Sequence, residues 1–359
     1  MKNISFFSTI LLRWFDENQR SLPWRSETDP YRIWVSEIIL QQTRVNQGWN
    51  YYLRFIDRFP NVKSLADAHL QEVLLVWQGL GYYSRARNMH AAAQQIVQEH
   101  NGVFPCNYLK IKKLKGIGEY TAAAIASMAF NLPYPAVDGN VLRVTTRIFG
   151  IYDDISQPKT VQKITQLCQE LISIDNPGNF NQALMELGAI QCTPKNPKCE
   201  VCPFANHCIA FEKNHQTLLP VKTLKTKVKN RYFHYFIFIK DSETIIELRT
   251  ANDIWKNLYQ FPLIETEKQC DLSVETQCIA SLKTSRIASL PLGKSKPIFL
   301  KEIKHKLTHQ HLTIRFYVVN DYFPEWVETQ SIASLPIPVE DLENYPFPVA
   351  IGKIVEKLR

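Results

Sequence analysis

Leu114-Lys-Gly-Ile-Gly-Glu-Tyr-Thr-Ala-Ala-Ala124, followed by Pro135-Ala-Val-Asp-Gly-Asn-Val-Leu-Arg143, decides the fold of this 359-residue chain. Gly116 and Gly118 flank one apolar residue where a helical pattern restarts, and so tight a turn calls for residues without a Cβ. The amide groups freed at the helix start would face outward and suit an anion, a phosphate above all. Taken alone, Gly-x-Gly between helices is more often a plain turn. Lys110, Lys112, Lys113 and Lys115 just before it, and Asp138 after a short helix and a proline-bounded loop, favour the anion.

Working outward, Asp138 is placed to cap a helix running to about Phe149. Capping and chemistry are compatible, because helix amides hold a carboxylate ionised and fixed. Upstream, Tyr31 to Val45 is helical and apolar on nearly every side, yet contains Glu37. Either Glu37 lies on a narrow exposed edge, or burial raises its pKa into the range of a general acid. Gln41, Gln42 and Thr43 close that run with uncharged hydrogen-bonding groups. Earlier, Phe6 to Glu17 predicts an amphipathic helix, and Ser-Leu-Pro-Trp-Arg a turn whose Trp24 and Arg25 suit a pocket wall or, equally, core and surface. Leu75 to Arg87 is a second glycine-bearing helix junction, its aromatics and arginines suited to base stacking and phosphate contact or to ordinary packing.

Helices near 159–174 and 180–190 lead to Cys192-x6-Cys199-x2-Cys202-x5-Cys208. A zinc ribbon shows two short Cys-x2-Cys knuckles, and only one is present, so this compact spacing favours an iron–sulfur cubane over zinc or buried thiols. Cys106, Cys168, Cys270 and Cys278 lack such spacing.

Hydrophobic residues make up 45% and charged residues 21%, which is globular composition, and 359 residues suffice for two cores. The surplus behind the net charge of +8 lies in residues 213–231, with six basic and no acidic side chains, and in residues 1–212, with 21 basic and 18 acidic, and fits a polyanionic partner or a merely soluble linker. Arg13, Asp16 and Glu17 interrupt the first apolar run, so neither a secretory signal nor a membrane span is expected, and a cytoplasmic location is. Past the linker the hydrophobic period changes from 3.6 to 2: Tyr232–Ile239, Thr244–Leu248 and Leu312–Val319 are predicted strands, with helices near 272–283 and 347–358. The expected divisions are 1–212 helical, 213–231 linker and 232–359 mixed α and β.

Together these motifs resemble the helix-hairpin-helix DNA glycosylases that carry an iron–sulfur cluster, and within them the MutY-type adenine DNA glycosylases. The likeness rests on Leu-Pro-Trp-Arg at 22–25, Ser-Glu-Ile-Ile-Leu-Gln-Gln-Thr at 36–43 and Gly-Leu-Gly-Tyr-Tyr-Ser-Arg-Ala-Arg-Asn at 79–88, with the hairpin, Val-Asp-Gly-Asn-Val at 137–141 and the cysteine spacing. It implies a multidomain α and α+β chain, an all-helical helix-hairpin-helix core with an iron–sulfur module followed by a Nudix-like α/β domain. It also implies monofunctional excision of adenine paired with 8-oxoguanine or guanine in double-stranded DNA, by a nucleoid-associated monomer. Glu37 resembles the acid that protonates adenine at N7, and Asp138 the carboxylate that stabilises the sugar cation, with Asn140 and Tyr120 in support. Trp24, Arg25 and Gln182 would line the adenine pocket. Gly116, Gly118, Gln42, Thr43, Tyr82, Lys195 and Lys198 would meet DNA, with Gln42 and Tyr82 filling or wedging the vacated stack. Cys192, Cys199, Cys202 and Cys208 would hold a [4Fe-4S] cluster.

Endonuclease III-type relatives carry a lysine at the hairpin position of Tyr120; it forms a Schiff base and cleaves the strand, which tyrosine cannot do. Trp255, Leu258, Phe261 and Pro262 match the family's Nudix-like segment, but no glutamate-rich magnesium box accompanies them, so pyrophosphate hydrolysis is not expected. Where the family inspects 8-oxoguanine with Phe-Ser-His, this chain has Leu307, Thr308 and His309. The alternatives are a bifunctional endonuclease III-type glycosylase and lyase, or a DNA-binding protein without catalysis.

Overall fold

The computed structural model describes residues 4–223, 228–269, 297–320 and 334–358. In chain order the helices are α1 Ile4–Asn18, α2 Pro30–Leu40, α3 Val45–Arg58, α4 Val62–Asp67, α5 Leu70–Val76, α6 Ser84–His100, α7 Tyr108–Lys113, α8 Glu119–Phe130, α9 Gly139–Phe149, α10 Pro158–Leu171, α11 Pro177–Glu186, α12 Ile209–Glu212 and α13 Val349–Leu358. The strands are β1 Lys229–Lys240, β2 Glu243–Leu248, β3 Tyr259–Gln260, β4 Leu263–Thr266, β5 Ile298–Lys306, β6 Gln310–Asn320 and β7 Ser334–Pro338. The chain divides into two compact units, Met1–Ala68 with Asn88–Leu224, and His69–Arg87 with Lys225–Arg359. No helix among the described residues is long and apolar enough to cross a membrane.

In the first unit, local chemistry sets the helix ends. Asp29 caps α2 by accepting from the Tyr31 amide at 2.9 Å, with Pro30 at the first helical position. Asn107 caps α7 through the Leu109 and Lys110 amides, and Asp138 caps α9 through the Val141 amide at 2.8 Å. The alanines of α8 let α2 lie close, leaving Ala122 to Ala126 buried. One core joins Leu11 and Phe15 of α1, Val141, Val144 and Ile148 of α9, Ile164 of α10, and Phe180 and Leu184 of α11.

Two helices differ from expectation. The run expected to reach Val45 stops at Leu40, because Gln41 turns to donate to Thr121 Oγ1 at 3.1 Å and Gln42 takes a left-handed conformation, φ 58°. The helix expected to run to residue 190 instead widens into a π turn over Leu187–Gln191. The Cys192 amide closes that turn on the Leu187 carbonyl at 2.7 Å.

In the second unit β3-β2-β1-β6-β5 form one sheet, with β4 also on β1 and β7 on β2. β1 and β6 run parallel, Lys229 opposite Gln310 through Ile239 opposite Asn320. Alternate residues Phe233, Tyr235 and Ile237 face a core with Phe316, Phe347 and Ile351 of α13. The predicted strands therefore exist and extend by a few residues, while the helix expected near 272–283 lies outside the described residues.

Gly188, inside the π turn, lies against the start of α9. A Cβ there would sit 2.6 Å from Asn140 Cβ and 3.1 Å from Asn140 backbone atoms, which cannot yield as a flexible side chain can. Gly188→Ala is expected to cost about 1–3 kcal/mol in denaturant unfolding; unchanged stability would contradict this packing.

Candidate active site

A cavity of about 580 Å³ opens in the first unit, walled by α2, α8, the start of α9 and α11. Glu37, Tyr120, Asp138 and Asn140 all line it, as do Trp24, Arg25, Gln42, Thr43 and Gln182. Glu37 stands on α2 among Ser36, Ile38 and Ile39, which are buried, and keeps a partial opening to the cavity. Tyr120, in the first turn of α8, donates its hydroxyl hydrogen bond to Glu37 Oε2 at 2.6 Å. Burial penalises the charged carboxylate more than that bond and the Arg25 charge favour it, and the Glu37 pKa rises to about 7. Burial likewise pushes the Tyr120 phenol well up, so it remains a donor.

Asp138 is held differently. Its Oδ1 accepts from the Val141 amide at 2.8 Å and its Oδ2 from Asn140 Nδ2 at 2.7 Å. Burial raises its pKa above the ordinary aspartate value, and these hydrogen bonds oppose that rise. Both oxygens therefore accept, as a carboxylate's do. Arg143 extends the support: its Nη2 donates to Asn140 Oδ1 at 2.8 Å and to the Gly188 carbonyl at 2.7 Å, its Nε to the Cys192 carbonyl at 2.9 Å.

One turn along α9, Arg147 donates to the carbonyls of Thr193, Pro194 and Leu219 and to Cys192 Sγ at 3.3 Å. Cys192, Cys199, Cys202 and Cys208 line one small cavity beside it. Among the described residues no three His, Cys, Asp or Glu side chains close on a single metal ion. Four cysteines lining one cavity are a donor set fit for a metal centre. Burial pushes the Cys202 thiol up to about 11 and raises those of Cys199 and Cys208, so these cysteines become thiolates only with a compensating cation.

The remaining expected residues fall as follows. Gly116 has φ 76° and faces Asn88, with which a Cβ would clash at 2.5 Å; Gly118 caps α8. Lys195 and Lys198 are exposed in the cysteine loop. In the second unit, Leu307 is half-buried against the core, and Thr308 and His309 are exposed at the β5–β6 turn. Tyr82 belongs to that same unit, with φ 47° and its hydroxyl 2.7 Å from Thr308 Oγ1. Sequence reasoning missed Arg20, Arg143, Arg147 and Glu186. The available signal was spacing: Glu186 lies four residues beyond Gln182, and Arg143 three beyond Asn140, on shared helices.

Comparison with known proteins assigns three parts of the chain to known families. Residues 35–172 match the HhH-GPD superfamily of base excision DNA repair proteins, 192–208 the iron–sulfur binding domain of endonuclease III, and 234–357 the NUDIX domain. Adenine DNA glycosylase of Buchnera aphidicola subsp. Schizaphis graminum is 38% identical over 265 residues, covering 74% of this chain and 76% of that protein. The Homo sapiens adenine DNA glycosylase is 41% identical over 225 residues, covering 60% of this chain and 41% of that protein. The structure of a thermostable thymine-DNA glycosylase superposes with a TM-score of 0.54 at 28% identity, covering 58% of this chain and 97% of that one. A buried acid, a capped aspartate and a four-cysteine loop on one helical scaffold thus stand in a chain that belongs to the adenine DNA glycosylase family.

Proposed function

We propose that this protein releases adenine paired with 8-oxoguanine or guanine in duplex DNA and leaves an abasic site without cutting the strand. Family membership makes it a base excision repair glycosylase, a hydrolase of N-glycosyl bonds that acts on DNA and binds an iron–sulfur group. The observation that carries the reading is the pairing of two carboxyls in different surroundings in one cavity, Glu37 with a pKa of about 7 and Asp138 with both oxygens accepting hydrogen bonds.

Adenine leaves poorly as an anion. With its pKa raised to about 7, Glu37 can carry a proton at neutral pH, where an ordinary glutamate would not. Because Tyr120 donates to Oε2, that proton belongs on Oε1, free to reach a ring nitrogen of a base turned out of the stack. As the glycosidic bond breaks, positive charge grows on the sugar, and Asp138, fixed by Val141 and Asn140, supplies the opposing charge. Water then adds at the anomeric carbon. Tyr120 has no amine to form an imine, so the reaction ends at the abasic site. The four cysteines would hold a [4Fe-4S] cluster; bound, it supplies covalent ties across the 192–208 loop that presents Lys195 and Lys198 to phosphates. In the second unit Thr308 and Tyr82 would inspect the base opposite adenine. The reading carries with it a monomer working on nucleoid DNA in the cytoplasm.

Four outcomes are expected. Glu37→Gln should lower single-turnover adenine release, followed by alkaline cleavage of an 8-oxoguanine:adenine duplex, by at least about 10²-fold; intact release would remove Glu37 as the acid. The same variant should be more stable than wild type at high pH. The raised pKa gives stability that is full below the ordinary value of 4.5 and lost as pH rises through about 7, a linkage worth up to about 3 kcal/mol. An unfolding midpoint for Glu37→Gln equal to wild type at pH 8.5 would contradict it.

Borohydride should trap no enzyme–DNA adduct; efficient trapping would restore the lyase alternative. Thr308→Ala should narrow the rate advantage of 8-oxoguanine:adenine over guanine:adenine, and equal losses on both duplexes would refute its role.

A further inference from the structure

Part of the cavity wall is a chain of charge, Arg20 to Glu186 to Arg25, whose Arg25 also acts on Glu37 through its charge. Glu186, on α11, is 3% exposed. Arg20 grips it from one side, Nε to Oε1 at 2.6 Å and Nη2 to Oε2 at 2.9 Å, with the Arg20 amide on Oε1 at 3.1 Å. Arg25 Nη2 reaches Oε2 from the other side at 2.8 Å. Burial pushes the Glu186 carboxyl up, but the bonds from Arg20 and the charge of Arg25 outweigh it, and its pKa ends below the ordinary value. It is therefore an anion at neutral pH.

Arg25 passes this constraint on. Its Nη1 donates to Gln182 Oε1 at 2.8 Å, and its guanidinium lies 5.2 Å from the centre of the Phe15 ring. A guanidinium has donors and no acceptor, so Gln182 must turn its carbonyl toward Arg25 and leave its amide NH2 on the cavity side. With Arg25 pinned, the alternative amide rotamer would set donor against donor, a contact costing more than a lost hydrogen bond. The wall thus offers a donor where a free glutamine could offer either group.

We propose that Glu186, acting through Arg25, fixes the Gln182 amide as a hydrogen-bond donor to a ring nitrogen of the bound base, and so selects a purine with a free lone pair there. The inference rests on the adenine reading above. Adenine has lone pairs at N1, N3 and N7; with N7 taken by the Glu37 proton, the amide meets N1 or N3. Guanine carries a hydrogen on N1 and would present donor to donor if that edge is the one read. Glu186 is a positioning residue: Arg20 and Arg25 hold both of its oxygens, and it acts through Arg25.

The test compares single-turnover release of adenine, 1-deazaadenine and 3-deazaadenine opposite 8-oxoguanine by the cluster-bound wild type, Glu186→Gln and Arg25→Gln. Arg25→Gln leaves Glu186 paired with Arg20, so it interrupts the relay without stranding the buried anion. Intrinsic differences between leaving groups cancel when each analogue's penalty is compared between proteins. In wild type one analogue should be slowed about five-fold beyond the other, the worth of one net hydrogen bond. In both variants that excess should fall below about two-fold, the non-additivity expected of groups acting through one contact. General loosening of the fold would slow all three bases alike. Wild-type protein that releases adenine but shows the same excess penalty in all three proteins, or none in any, would leave the proposed function standing and overturn the relay.

Discussion

Removing a carboxyl group from water disfavours its charged form, and this site depends on that cost being borne at Glu37. α2 is apolar around the residue, and Tyr120 covers one oxygen at 2.6 Å. A hydrogen bond from tyrosine favours the carboxylate, as does Arg25, yet desolvation wins and the pKa reaches about 7. The outcome is useful because the rise stops near neutral pH. A fully exposed glutamate would carry almost no proton at neutral pH, and a pKa far above 7 would mark an acid that gives up its proton too reluctantly.

Around that acid, α9 sets the geometry. Its first turn holds Asp138 and Asn140, and the next two turns supply Arg143 and Arg147, whose donors fasten the Cys192 loop and the π turn. One helix therefore ties the Asp138 carboxylate to the loop that would carry the cluster. The π turn serves the same end: an ordinary helix through Leu187–Gln191 would place a different carbonyl before Arg143, and any side chain at 188 would strike Asn140. The cluster loop is thus fastened by hydrogen bonds to the helix that Asp138 caps.

Much of this was legible in the sequence. Asp138 announces its cap by preceding a helical pattern, and Glu37 announces burial by sitting in an apolar run. The cysteine spacing identifies the loop without any tertiary information. What stayed hidden is long-range or depends on a single backbone choice. Arg20 and Glu186 are 166 residues apart, and neither has a local pattern that names the other. The left-handed turn at Gln42 and the π turn follow from contacts with α8 and α9, which no helical period encodes. The Tyr82–Thr308 pair joins segments 226 residues apart, so each was visible as a candidate and their contact was not.

The central claim is that Glu37 delivers a proton that burial keeps available at neutral pH. The pH profile of single-turnover adenine release on an 8-oxoguanine:adenine duplex tests it most directly. The rate should fall about ten-fold per unit above an apparent pKa near 7, as Glu37 loses its proton, and should fall again on the acid side as Asp138 gains one. A loss of rate with rising pH that sets in near 4.5, where an ordinary glutamate titrates, or a rate indifferent to pH between 5 and 9, would contradict the account.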